Sequence, residues 1–275
     1  NECDIFFIGS GLTMVDICAN LSYTDPQKKL NYTAISRHGL LPTAIYPEQL
    51  DKYKSAVIYK YKKDIPNKLL PIVKKVNAMI KNTKQYHWME IKQGILNLSP
   101  YIWKNLSAID KKRFKKLLHT YWMRFHARCA YQTMRQIYDL QATNKLNIFT
   151  GRLISVKIIN TNDNQKLQVT FYNKKNKKNT IIECNKIINA TDYQVALNDI
   201  SNPLTKSLID KNILVQNTET DIGPIISNNL TLKNNVAYAK NIFVIGPGLA
   251  DKFVDAFAIM HIRQHLEKIL PIITK

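Results

Sequence analysis

Apolar positions along this chain fall into three patterns, and each predicts a different element. Ile5, Phe6, Phe7 and Ile8 form an unbroken apolar run, the signature of a short strand covered on both faces in a parallel sheet. Gly9 and Gly11 end it, residues 12–22 read as a helix, and residues 31–36 (NYTAIS) read as a second strand beyond the Asp25-Pro26 loop. Residues 47–140 are strand-poor and helical in period, with breaks expected at Pro66, Pro71, Gly94 and Pro100. Ile102, Leu106 and Ile109, then Phe114, Leu117 and Leu118, mark an apolar face there, and one long helix is predicted from about Ala108 through Arg128. From Leu146 the period shortens: LNIFTG reads as a strand ending at Gly151, and residues 153–159, 167–172 and 180–184 read as a three-stranded meander. Its hairpin tip at 174–179 is charged and is assigned no function. Residues 186–190 form another apolar strand, short strands are expected near 213–215 and 230–232, and residues 242–245 form a strand running into Gly246, Pro247 and Gly248. A helix is predicted from Asp251 to Leu270, ended by Pro271.

The chemistry begins at the first glycine turn. A strand, Gly9-Ser10-Gly11 and a helix start compose a dinucleotide-binding element. The first glycine makes the tight turn, the second lets backbone approach a pyrophosphate, and the helix amides face the anion. Gly9, Ser10, Gly11, Leu12, Thr13 and Met14 are the candidate phosphate-binding residues, with Met14 standing where a third glycine is usual. At the end of the second strand stand Ser36, Arg37 and His38. A carboxylate there would accept from a free ribose 2′-hydroxyl, whereas an arginine suits a 2′-phosphate, so NADP is expected in preference to NAD. Farther on, Arg124 and Arg128 lie four apart and would share one face of the predicted helix, suiting a phosphate or carboxylate.

The runs GSGLTMVD (9–16) and AISRHGLLP (34–42) together resemble the nucleotide-binding core of a bacterial family of FAD/NAD(P)-binding proteins, relatives of the flavoproteins with two dinucleotide-binding domains. The resemblance continues through YWMRFHAR (121–128), IINAT (187–191) and residues 244–263. It implies an α/β, three-layer, Rossmann-like NAD(P)-binding domain over residues 1–195, with a helical insertion at about 47–140 and a β-meander at about 151–184. Residues 196–275 would then be the C-terminal part of a flavin-binding domain. It also implies that Ala190, Thr191 and Asp192, and Gly246, Pro247 and Gly248, approach the flavin, and that Trp122, Arg124, His126 and Arg128 face an unknown small-molecule substrate. Asp192 departs from the family's usual A-T-G. The implied activity is NADPH-dependent hydride transfer to FAD in an oxidoreductase. The fingerprint for the ADP half of FAD would lie upstream of Asn1, so FAD is expected only with that missing N-terminal flavin domain as partner. The alternative is a non-catalytic nucleotide-binding or interaction module that has lost flavin.

Charge and cysteines narrow the field. The net charge is +20, but 33 of the 40 basic residues are lysines and only 7 are arginines, scattered rather than striped, which argues against specific nucleic-acid binding. Cys3, Cys18, Cys129 and Cys184 are far apart, so neither a flavin-coupled disulfide nor a cysteine metal site is expected, and a reducing, cytoplasmic setting is. His261 and His265 are four apart without a third ligand nearby, so no metal is expected. No apolar run approaches the ~20 residues of a membrane span.

Overall fold

Strand β1 (Cys3–Ile8) lies inside a six-stranded sheet of order β7 (Lys178–Cys184), β6 (Asn164–Asn173), β5 (Leu146–Thr161), β2 (Leu30–Ser36), β1 and β8 (Lys186–Asn189). The computed structural model describes residues 3–24, 29–45, 54–82, 85, 87–126, 128–161, 164–191, 202–233, 238–256 and 258–274. The protein is α/β, and the chain divides into two compact units, Asn1–Lys52 with Thr120–Asp192, and Tyr53–His119 with Tyr193–Lys275.

In the first unit β1 is followed by α1 (Leu12–Thr24), β2 (Leu30–Ser36) and β3 (Thr43–Ile45). The second unit contributes α2 (Leu69–Lys81), α3 (Trp88–Asn105) and α4 (Ala108–Leu117), and α5 (His119–His126) straddles the boundary between the units. The first unit then resumes with β4 (Arg128–Ala130), α6 (Tyr131–Ala142), β5 (Leu146–Thr161), β6 (Asn164–Asn173), β7 (Lys178–Cys184) and β8 (Lys186–Asn189). β1 pairs in parallel with β2 on one side and β8 on the other, and β2 pairs in parallel with β5. Phe6 and Phe7 point to opposite faces and both are fully buried, which is why the apolar run does not alternate. Ile5 and Phe7 join Met14, Val15 and Cys18 of α1 and Met134 and Ile137 of α6 in one core. On the other face Phe6 and Ile35 are covered by Val169 and Phe171 of β6, so the meander serves as the third layer.

β5 differs from the expected pair of strands. It runs unbroken through Gly151, where its partner changes from β2 to β6: Thr150 faces Ser36, while Gly151 faces Asn173. A register shift between Leu153 and Ser155 follows, and such shifts bend a strand and sharpen its twist.

The second unit holds α2 to α4 together with α7 (Pro203–Asp210), β9 (Thr231–Lys233), β10 (Tyr238–Phe243) and α8 (Ile259–Ile273). α3 runs straight through Gly94 and Pro100, where breaks were expected. Proline cannot offer an N–H to the carbonyl of residue 96, and the Ser99 hydroxyl donates to that carbonyl instead, at 2.9 Å. Asp251 binds this unit's sequence-distant parts together. Its carbonyl accepts from Trp103 Nε1 and Lys111 Nζ, both at 2.9 Å, and its carboxylate accepts from Asn217 Nδ2 at 3.0 Å and lies 3.6 Å from Lys111 Nζ. Asp251 is therefore not the start of the last helix. The turn Gly246–Leu249 is a short 3-10 helix, and α8 begins only at Ile259 and passes through Pro271.

Candidate nucleotide-binding site

The carboxyl ends of β1, β2 and β8 meet at Gly9. Its amide donates to Ile35 O at 2.8 Å, and the Ala190 amide donates to Ile8 O at 2.8 Å. Chain order places this edge at a switch point: from β1 the sheet grows outward through β2 and β5, then returns to place β8 on the opposite side. Ligands of open α/β sheets bind in the crevice such a reversal opens.

The two glycines have separate reasons to be glycine. Gly9 has φ +112°, and a Cβ there would collide with the carbonyl of Ala190 and come within 3.1 Å of Thr191 N. Packing alone forbids a side chain at that position. A Cβ on Gly11 would meet nothing within 4 Å. The Gly11 carbonyl accepts the first helical bond of α1 from Val15 N at 3.2 Å, and the first turn of α1 holds no acidic residue. Amides of that turn have no partner within the helix, no acidic residue stands in the turn, and the space a Gly11 Cβ would enter is empty. A pyrophosphate fits such a place.

Ser10 and Ser36 hold the turn rather than reach outward. The Ser10 hydroxyl, 4% exposed, donates to Leu40 O at 2.7 Å. It also lies 2.8 Å from Ser36 Oγ, which accepts from Gly39 N at 2.9 Å. Leu12 and Met14 turn inward: Met14 is fully buried in the core with Leu12 packed against it, while Thr13 is exposed. At the third-glycine position a thioether thus fills the space between α1 and the sheet, and Cys18 Sγ touches it at 3.6 Å. Burial pushes the Cys18 thiol up to about 12 and Cys184 up to about 11, which keeps both un-ionised.

Arg37 and His38 are exposed at the end of β2. The ammonium of Lys174, in the β6–β7 turn, donates to Arg37 O at 2.7 Å. Burial, then Lys174 and Arg37, lower the pKa of His38. The His38 ring lies 5.4 Å from that of Tyr121 in α5, and Thr43 Oγ1 donates to Arg124 O at 2.7 Å. These contacts tie α5 to the segment that follows β2.

The expected long helix is broken, and with it the shared arginine face. The chain leaves the helix at Leu118, resumes as α5 and ends that helix at His126; Arg128 sits in β4, paired with Thr43. Arg124 and Arg128 therefore do not occupy one helical face. Trp122 stacks on His126 with ring centroids 6.0 Å apart and planes 8° from parallel. Ala190 is buried, and the exposed Thr191 bonds Asn189 Oδ1 through its amide and hydroxyl at 3.1 and 2.7 Å. Asp192 lies outside the described residues. Gly246, Pro247 and Gly248 belong to the second unit, in the 3-10 turn, where Pro247 offers no N–H. With α8 starting at Ile259, this turn does not form a second strand-glycine-helix phosphate element. His265 of α8 is buried with its ring 4.7 Å from Phe253, whereas His261 stands partly exposed beside Gln264.

No protein-family model and no curated protein matches the sequence. Solved structures match the fold. A cadaverine monooxygenase of desferrioxamine biosynthesis from Erwinia amylovora, bound to FAD, is 12% identical with a TM-score of 0.60; the match covers 99% of this chain and 51% of that one. The ornithine N-hydroxylase of Kutzneria sp. 744, with reduced FAD, NADP+ and L-ornithine, is 12% identical with a TM-score of 0.56, over 98% and 53% of the two chains. The L-lysine 6-monooxygenase of Pseudomonas syringae is 14% identical with a TM-score of 0.56, over 98% and 52%. The chain has the fold of part of these flavoprotein monooxygenases and spans about half the length of each. Among the described residues no helix is long and apolar enough to cross a membrane.

Proposed function

We propose that this chain carries the NADP(H)-binding part of an FAD-dependent oxidoreductase. The observation that carries the reading is the convergence, at the carboxyl edge of β1, β2 and β8, of a helix start led by glycine, open space beside that Gly11 and the exposed Arg37. The pyrophosphate would lie on the amides of residues 11–13, and the Arg37 guanidinium would take the 2′-phosphate. NADP(H), when bound, supplies the hydride, and the residues here bind and orient it. The first unit would be the nicotinamide-nucleotide domain and the second part of a flavin domain. An FAD site of this class needs its own glycine fingerprint, and the reading assigns that fingerprint to sequence outside these 275 residues. Trp122, Arg124, His126 and Arg128 are the proposed substrate-side residues. The amine-hydroxylating activities of the proteins sharing the fold make a small amine one candidate substrate class for the whole enzyme.

Titration of the chain with NADPH and NADH tests the reading, because Arg37→Ala should weaken NADPH binding by about 1.5 to 3 kcal/mol, the worth of hydrogen bonds to a charged group, and leave NADH nearly unchanged. Equal losses for the two cofactors would sink the assignment of Arg37.

A further inference from the structure

The sheet edge that carries Arg37 receives a second cation from a part of the chain far away in sequence. β6 ends at Asn173 and β7 begins at Lys178, and the turn between them is held against the end of β2 at two points. The Lys174 amide donates to Thr150 O at 2.9 Å, and Thr150 is paired with Ser36 across the β2–β5 ladder. The Lys174 ammonium donates to Arg37 O at 2.7 Å. Asn173, 6% exposed, fixes the turn by accepting from Lys175 N at 2.9 Å. The lysine is thus anchored to the sheet by its backbone and to the residue after β2 by its head.

This placement holds the Lys174 ammonium against the backbone of Arg37 on an exposed surface, and both cations act on His38, lowering its pKa. Among the described residues neither Arg37 nor Lys174 has a carboxylate partner. Mutual repulsion of like charges opposes such an arrangement, and a doubly charged anion relieves it. A phosphate monoester is such an anion at neutral pH, with three acceptor oxygens for a planar guanidinium fork and a compact ammonium. Of the three donors on the ammonium, Arg37 O takes one. His38, held towards its neutral form by burial and by these two neighbours, adds no third charge near neutral pH.

We infer that Lys174 is a specificity-determining residue, which together with Arg37 takes the 2′-phosphate of NADP(H), so that the meander turn forms one wall of the nucleotide site. The inference rests on the nucleotide reading above and adds to it a residue from outside the β1-α1-β2 segment. Its rival is purely structural: Lys174 as a latch that keeps the meander turn on the sheet.

Lys174→Met keeps the aliphatic stem, Lys174→Arg keeps the charge, and the turn's backbone bond to Thr150 is available to both. In titrations of the 275-residue chain, Lys174→Met should weaken NADPH binding about five- to tenfold and leave NADH unchanged. Lys174→Arg should restore most of the loss, and the salt dependence of NADPH binding should be shallower in the Met variant. Thermal midpoints should match wild type. Unchanged NADPH affinity in Lys174→Met, or equal losses for NADPH and NADH, would leave Lys174 a latch and overturn the inference. If Arg37→Ala still discriminates against NADPH while Lys174→Met does not, the inference fails and the nucleotide reading stands. A wild-type chain that binds neither cofactor, or prefers NADH, overturns both.

Discussion

The two glycines of the first turn should separate folding from binding when each is substituted. Gly9→Ala places a methyl group on a residue at φ +112°, against the Ala190 carbonyl carbon at 2.7 Å and Thr191 N at 3.1 Å. Holding a non-glycine residue in that region costs about 1 to 3 kcal/mol. Forcing the Ala190 backbone away, against its bond to Ile8 O, adds about 1 to 3 kcal/mol of overpacking. The sum, about 2 to 6 kcal/mol, is a large share of the ~5 to 15 kcal/mol that stabilises a typical domain. At Gly11 a Cβ would meet nothing within 4 Å and no unusual φ is needed, so Gly11→Val should cost only the roughly 0.5 to 1.5 kcal/mol of an apolar residue at a helix cap. It should nonetheless abolish NADPH binding, because the branched side chain occupies the volume the pyrophosphate needs. Urea unfolding of each variant, amide exchange at Ala190 and an NADPH titration measure all three quantities. Gly9→Ala should lower the unfolding midpoint and speed exchange at Ala190, while Gly11→Val should lower the midpoint less and leave exchange at Ala190 unchanged. A Gly9→Ala variant as stable as wild type would refute the packing argument, and wild-type NADPH affinity in folded Gly11→Val would remove the phosphate site from this turn.

Two further outcomes concern the second unit. Asp251→Ala removes the acceptor for Asn217 and the counter-charge of Lys111, whose side chain is 13% exposed, and should destabilise the unit by about 2 to 3 kcal/mol. Trp103 reports the change, since its indole bonds the same residue's carbonyl; an unshifted denaturant midpoint in Trp103 fluorescence would refute this role. His265 is 4% exposed, and its pKa is lowered from 6.5, first by burial and then by His261 and Lys268. The unfolded chain therefore takes up a proton before the folded one as pH falls below 6.5. Stability should be full above that pH and decline below it, and His265→Leu should flatten the decline; an unchanged pH profile in that variant would exclude His265 as its source.

What the sequence made legible was local or periodic. The unbroken Ile5–Ile8 run announced a strand buried on both faces, and the glycines announced its turn. What it hid depended on distant partners. Nothing local marks Ser99 as the group that lets α3 pass Pro100, or Gly151 as the point where one strand exchanges partners rather than ending. The helix break at Leu118 separates Arg124 from Arg128, and a periodicity argument cannot see it because apolar residues flank it on both sides. Lys174 looked like solvated hairpin decoration because its meaning comes from Arg37, 137 residues away. Asp251, read as a helix start by its position after a glycine turn, is instead the residue to which Trp103, Lys111 and Asn217 all bond.

Gly11 bears most directly on whether the turn still binds a nucleotide. Folding gives a full account of Gly9, since any side chain there strikes β8's continuation at Ala190. Folding gives no such account of Gly11, which has ordinary backbone angles and empty space where a Cβ would project. It stands at the cap position of α1, its carbonyl accepting from Val15 N. Serine, aspartate or asparagine there would cap the first-turn amides and stabilise the helix better than glycine does, by a few tenths of a kcal/mol. Those are the amides a pyrophosphate would use, and a capping side chain would occupy them. A glycine that forgoes the cap, at the head of a helix with no acidic residue in its first turn, makes sense if an exogenous anion does the capping. This argument supports nucleotide binding and is neutral on flavin, because both the oxidoreductase and a module that had lost flavin would need that anion. The two differ only in whether a flavin stands within hydride reach of the bound nicotinamide.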